Sequence, residues 1–137
     1  MKNTLFKNKP IELLLRFAVF FTFLGHGIVA YNVNPTWISL ITAFGFSEGQ
    51  SIFIMPYIGM LDILVAVVLL FYPLRIVLIW AVFWAFITAL SRPISGLPIV
   101  DFIERASNWT IPLVLLLIYG FPKNLKDLFY IKNTLSK

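Results

Sequence analysis

The stretch "LPIVDFIERASNWTIPLVLLLIYG", residues 97–120, decides how many times this chain crosses a membrane. The apolar run that begins inside it, Trp109 to Phe121, holds only 13 residues. Crossing about 30 Å of hydrocarbon takes roughly 20 apolar residues, and about 17 at the least. From Asp101 to Gly120 there are 20 positions. The sequence therefore predicts one continuous fourth span, starting at or near Asp101, with a polar opening inside it.

That opening is ordered. Asp101, Glu104, Arg105 and Asn108 recur at i, i+3, i+4 and i+7, one face of a helix, with Phe102, Ile103, Ala106 and Trp109 on the other side. Asp101 and Glu104 have the spacing of an N-cap and its N3 partner. Acids in a first turn also suit the helix dipole, so two of the charges need no function. Arg105 and Asn108 are not explained that way. A polar stripe backed by apolar residues faces protein or a wet cavity rather than lipid. Two readings stay open: an outward-facing polar pocket, or an ion network tying the third and fourth spans together.

The rest of the 137-residue chain agrees with a membrane setting. Hydrophobic residues make up 60% of it and charged residues 12%, with a mean hydropathy of +0.90. A soluble domain has about 45–50% apolar and about 25% charged residues. Too little polar surface is available to coat a soluble globule. The expectation is a single all-α integral-membrane domain over residues 1–137, a four-transmembrane-helix bundle. Its spans are expected at about 11–31, 50–71, 74–91 and 101–121, with a C-terminal tail at 122–137. Lys2, Lys7 and Lys9 precede the first span as in a signal peptide. Its apolar run of 21 residues exceeds the usual core of about 7–15, and no small-x-small cleavage site follows, so it reads as a true helix.

Charge placement sets the expected orientation. Four spans put Lys2, Lys7, Lys9, Arg16, Arg75, Lys123, Lys126, Lys132 and Lys137 on one side and only Arg92 and Arg105 on the other. This bias predicts a multi-pass protein of the inner (plasma) membrane with both termini cytoplasmic. It also accounts for the formal charge of +5 without nucleic acid, since the basic residues flank spans and form no basic face. "YPLR" (72–75) reads as a short cytoplasmic turn between two antiparallel helices. In the 1–2 connection, Asn34 and Pro35 have the pattern of an N-cap and first-turn proline. Thr36 to Phe44 is apolar but too short to span, and is expected as a short interfacial helix with Trp37 at headgroup level. "SEGQ" (47–50) has capping-box spacing and would open the second span.

The candidate site residues are polar groups in costly places. Asp62 falls at the middle of the second span, where an acid costs about 2.5–3.5 kcal/mol and normally faces the bundle. Gly59 and Ala66 make its face small enough for a close helix approach. Arg16 either snorkels to the headgroups or reaches Asp62. His26, the one histidine, sits between Gly25 and Gly27 on the outer side of its span. Arg92 enters the same outer half, so His26, Arg92, Asp101, Glu104, Arg105 and Asn108 are expected to converge. Trp80 and Trp84 lie one turn apart near mid-membrane, either lining a flat apolar cleft or filling the core. Ala81, Ala85 and Ala89 form a packing seam beside them. With one histidine and no cysteine, no metal site is expected, and neither thiol chemistry nor bis-histidine haem ligation is available.

With these residues placed, the chain resembles the DoxX/DoxD-like family of small four-helix membrane proteins. The likeness covers roughly residues 11–120. It rests on Arg16 early in the first span, "GHG" (25–27) near its outer end, "GMLD" (59–62), the Pro-containing turn and the small-residue third helix. Asp62 stands where the family more typically has glutamate, and the region 92–109 is richer in charge than the family pattern. The resemblance implies an association with membrane redox systems, one branch being the small subunit of a thiosulfate:quinone oxidoreductase. The expected function is therefore a small inner-membrane subunit or accessory protein of a quinone-linked redox system. Quinone is the possible cofactor, and the lipid bilayer and a membrane protein or second copy are the partners. A transport element built on His26, Asp62 and Glu104, and a structural assembly factor, are the alternatives. No catalytic residue is identifiable.

Overall fold

The computed structural model describes residues 9–129, among which every regular element is helical. Three helices are long and apolar enough to cross a membrane: α1 (Lys9–Tyr31), α3 (Glu48–Phe71) and α4 (Arg75–Ile94). A 3-10 turn (Pro35–Trp37) and α2 (Ile38–Thr42) connect α1 to α3. After α4 come α5 (Val100–Ile103), α6 (Ala106–Tyr119) and α7 (Leu125–Phe129). Of the residues that carry the charge asymmetry, Lys2, Lys7, Lys132 and Lys137 lie outside the described residues, as does the tail beyond Phe129.

The local signals act as their chemistry dictates. The Asn34 side chain accepts from the Thr36 N–H at 3.0 Å and Pro35 opens the 3-10 turn. Ser47 and Gln50 exchange both bonds of a capping box, Ser47 Oγ accepting from the Gln50 N–H at 3.2 Å and Gln50 Oε1 from the Ser47 N–H at 2.9 Å. Val33 closes α1 with φ of 51°, a left-handed conformation uncommon for a β-branched residue.

The continuous helix expected from Asp101 does not form. The chain makes one turn, α5, then breaks at Glu104 and Arg105 before α6 begins at Ala106. Arg105 has φ −94° and ψ 9°, and its Nη1 donates to the Asp101 carbonyl at 2.7 Å. That carbonyl is the one the Arg105 N–H would bond in a continuing helix; the N–H bonds Phe102 O instead. The arginine side chain thus replaces the backbone and ends the helix. Asp101 is not an N-cap either, since Ile99 holds that position without a side-chain bond.

Two helix pairs build the molecule. α1 lies along α3, α4 lies along α6, and α1 also touches α6. The first pair meets at glycines: a Cβ on Gly59 would stand 2.6 Å from Gly27 O, and one on Gly27 would stand 2.7 Å from Ile63 Cγ1. No other residue fits at either position without moving a backbone. By contrast α3 and α4, although joined by a short turn, touch little along their length. Near that turn Val19, Leu69, Leu78, Ala81 and Leu115 fill the space between the pairs. Toward the other end the pairs part. Outward faces carry Phe21, Leu64, Phe83 and Leu117, all more than half exposed, an apolar surface that suits a bilayer.

Candidate functional site

The gap between the pairs is a cavity of about 430 Å³. α1, α3 and α4 wall it, the 3-10 turn and α2 fold across it, and the start of α6 lies at its rim. Ala85 and Ala89 of the alanine seam line it, so the small side chains that let α4 approach α6 also leave this space open.

The polar groups sit at its two ends. Asp62 on α3 and Trp84 on α4 lie at the inner end. Asp62 is only 5% exposed. Its Oδ1 and the Trp84 Nε1–H are both buried, and the two side chains have only each other as polar neighbours, without the geometry of a normal hydrogen bond. Leaving a buried donor or acceptor unpaired costs about 1–3 kcal/mol, and in native proteins such groups are few. Eight residues along α4 from Trp84, about 12 Å at the helical rise, Arg92 reaches the outer end. Its guanidinium lies over the Trp37 ring at 6.0 Å, and the His26 ring meets the same indole edge-on at 5.7 Å. The Arg92 Nε is buried without a partner. Thr88 and Ser91, which also line the wall, donate their hydroxyls back to their own helix, to Ala85 O at 3.1 Å and Thr88 O at 2.7 Å.

The structure gathers His26, Asp62, Trp84, Arg92, Arg105 and Asn108 around this one space. It leaves out three residues that the sequence grouped with them. Glu104 has a side chain 57% exposed and bonds Arg105. Asp101 offers its carbonyl to Arg105 and is half-buried. Trp80 stacks on Trp84 with centroids 5.5 Å apart and planes 10° from parallel, but does not line the cavity. The break before α6 is the reason for the first two, because it turns α5 away from the face that Asn108 presents. Among the described residues no three or more His, Cys, Asp or Glu side chains gather as a metal site.

At the opposite end of the bundle is a polar cluster the sequence reading missed. Glu12 accepts a hydrogen bond from the Tyr119 hydroxyl and pairs with Arg16 at 3.6 Å. Arg16 also donates to Leu70 O near the end of α3, so it does not reach Asp62. Arg75 is buried and donates Nε to Gly120 O at 2.7 Å and Nη atoms to Tyr119 O and Asp127 O. A legible signal was present: Glu12 precedes Arg16 by four residues, the spacing of an ion pair on one helix face.

Comparison with protein-family models, with curated proteins and with solved structures finds no match to this chain.

Proposed function

We propose that this chain is a small membrane subunit or accessory protein of a quinone-linked redox system, and that its cavity receives a flat, membrane-soluble ligand of the quinone class. The cavity carries this reading: it is apolar over most of its wall, with a few polar groups at its ends. Ligand pockets have volumes of about 300–1,000 Å³ and that same make-up. The likeness to the DoxX/DoxD-like proteins in Arg16, "GHG" and "GMLD" supports the redox context. A one-ended site is favoured over a transport path because Leu69, Leu78 and Leu115 are fully buried in the half beyond Asp62.

In this reading α5 and α6 together make the fourth span. α6 alone covers about 21 Å at the helical rise, short of about 30 Å of hydrocarbon, and the Arg105 turn with α5 completes the crossing. The ends bearing Lys9, Arg75 and Lys123 face the cytoplasm of an inner membrane, and the cavity opens on the other side. Reporter fusions after residue 137 and within 95–99 are expected to give opposite sidedness; matching signals would sink this topology. For the ligand, protein purified from native membranes is expected to carry a quinone detectable by mass spectrometry of the lipid extract. A short-chain benzoquinone added to delipidated protein should quench tryptophan fluorescence saturably through Trp84 and Trp37. Absence of both results would remove the proposal.

A further inference from the structure

Arg92 and Arg105 are the two arginines that line the cavity, and His26 stands with them at its outer end. The two are not alike. Arg105 is engaged, because its Nη1 donates to Asp101 O and pairs with Glu104. Among the described residues Arg92 makes no ion pair, and the side-chain bond at this residue is taken by its carbonyl, from Ser95 Oγ at 2.8 Å. Its guanidinium is nevertheless held in place. The Trp37 ring lies against it at 6.0 Å, a cation–π contact that orders the side chain without using an N–H. Asp101 and Glu104 act on Arg92 through space, and neither lines the cavity. Its charge is thus partly balanced from behind the wall, while its donors are not consumed.

A guanidinium carries five N–H donors and no acceptor, so what completes it is an oxygen that accepts. Thr88 and Ser91 spend their hydroxyl hydrogens on backbone carbonyls of their own helix and make no bond to it. A water molecule would meet the same donors. A ligand oxygen that displaces the water keeps the bond and adds the packing of an apolar ring on Trp37. The inner end offers no comparable donor, since Asp62 and Trp84 have each other as polar neighbours. We propose that Arg92 is the residue that holds the ligand, donating to a ring oxygen, so that a quinone head sits at the outer end beside Trp37. The apolar remainder then packs along Ile58, Met55 and Phe23 of the same wall. The inference rests on the quinone-class reading of the cavity and adds where the head lies and which side chain binds it.

Decylbenzoquinone and decylbenzene share a six-membered ring and a chain and differ in the two carbonyl oxygens. Partition of each into nanodiscs with and without the protein, compared at equal mole fraction in the lipid, measures what those oxygens add. The wild-type chain is expected to bind the quinone about tenfold more tightly than the arene, or better, as a hydrogen bond from a charged donor implies. Arg92→Leu should bring that ratio to about one while decylbenzene still binds, which shows the cavity intact. Infrared difference spectra of quinone labelled with carbon-13 at its carbonyls give a second readout. In the wild-type protein one carbonyl band should lie below its position in lipid alone, and Arg92→Leu should return it there. Equal binding of quinone and arene by the wild-type chain overturns the role of Arg92 and leaves the quinone-class site standing. So does an unshifted carbonyl band, or a quinone preference that survives in Arg92→Leu. Failure of the wild-type chain to bind the quinone at all overturns that role and the quinone-class reading together.

Discussion

The two ends of the bundle treat buried polar groups in opposite ways. Near the α3–α4 turn, Glu12, Arg16 and Tyr119 bond one another, and Arg75 bonds backbone carbonyls at the end of α6. Only the Arg16 Nε there lacks a partner. At the other end the Arg92 Nε is buried without a partner, and Asp62 and Trp84 have at most each other. A satisfied network rigidifies the elements it joins. Unpaired groups at hydrocarbon depth are costly, and they are tolerable where something else supplies the missing bonds. The comparison teaches that charge in a membrane bundle is not one kind of signal. At one end it is a clamp, and at the other it lines a cavity.

Replacing one member of each set separates the two roles. The largest effect is expected for Glu12→Ala, which strips Arg16 of its carboxylate and Tyr119 of its acceptor. Breaking such a buried pair costs about 3–5 kcal/mol, measurable as a fall in unfolding free energy in detergent. A loss under about 1 kcal/mol would mean the clamped end is not clamped by this cluster. Asp62→Leu is expected to act with the opposite sign. It removes a carboxyl buried in an apolar wall with no ion pair, so unfolding should become harder by about 1–3 kcal/mol. A lower melting temperature would show instead that Asp62 holds the fold. Glu104→Gln should do least. Its side chain is more than half exposed and its pairing with Arg105 lies at the surface, where such pairs contribute about 0–1 kcal/mol. A loss above about 2 kcal/mol in the same melting experiment would place Glu104 in a buried network.

Much of this was legible from residue order. Three long apolar runs correspond to α1, α3 and α4, because about 20 apolar residues in a row have few alternatives to a helix that satisfies its own backbone. The caps at Asn34 and Ser47 follow from side chains that reach only their own next turn, and the depth of Asp62 follows from its place in its run. Convergence of His26, Arg92, Arg105 and Asn108 was readable from their position along the helices and from the alternation of direction. Glu104 and Asp101 went astray because periodicity assumes an unbroken helix, and the Arg105 side chain competes with the backbone for the Asp101 carbonyl.

Sequence alone therefore determined the three long helices, their apolar character and which end of each carries polar residues. All of these follow from hydropathy, spacing and local capping, which act within a few residues of chain. Only the tertiary structure decided that α1 closes on α3 through Gly27 and Gly59 and that α4 closes on α6. It also decided that α3 and α4 part to leave a cavity, and that Asp62 and Trp84 meet there. Those outcomes depend on which helix faces meet, and no pattern within one helix specifies its neighbour. Glu12 shows the same limit. Its helical spacing to Arg16 is visible in the chain, but its burial against Tyr119 joins residues 107 positions apart, a distance in sequence that packing alone can close.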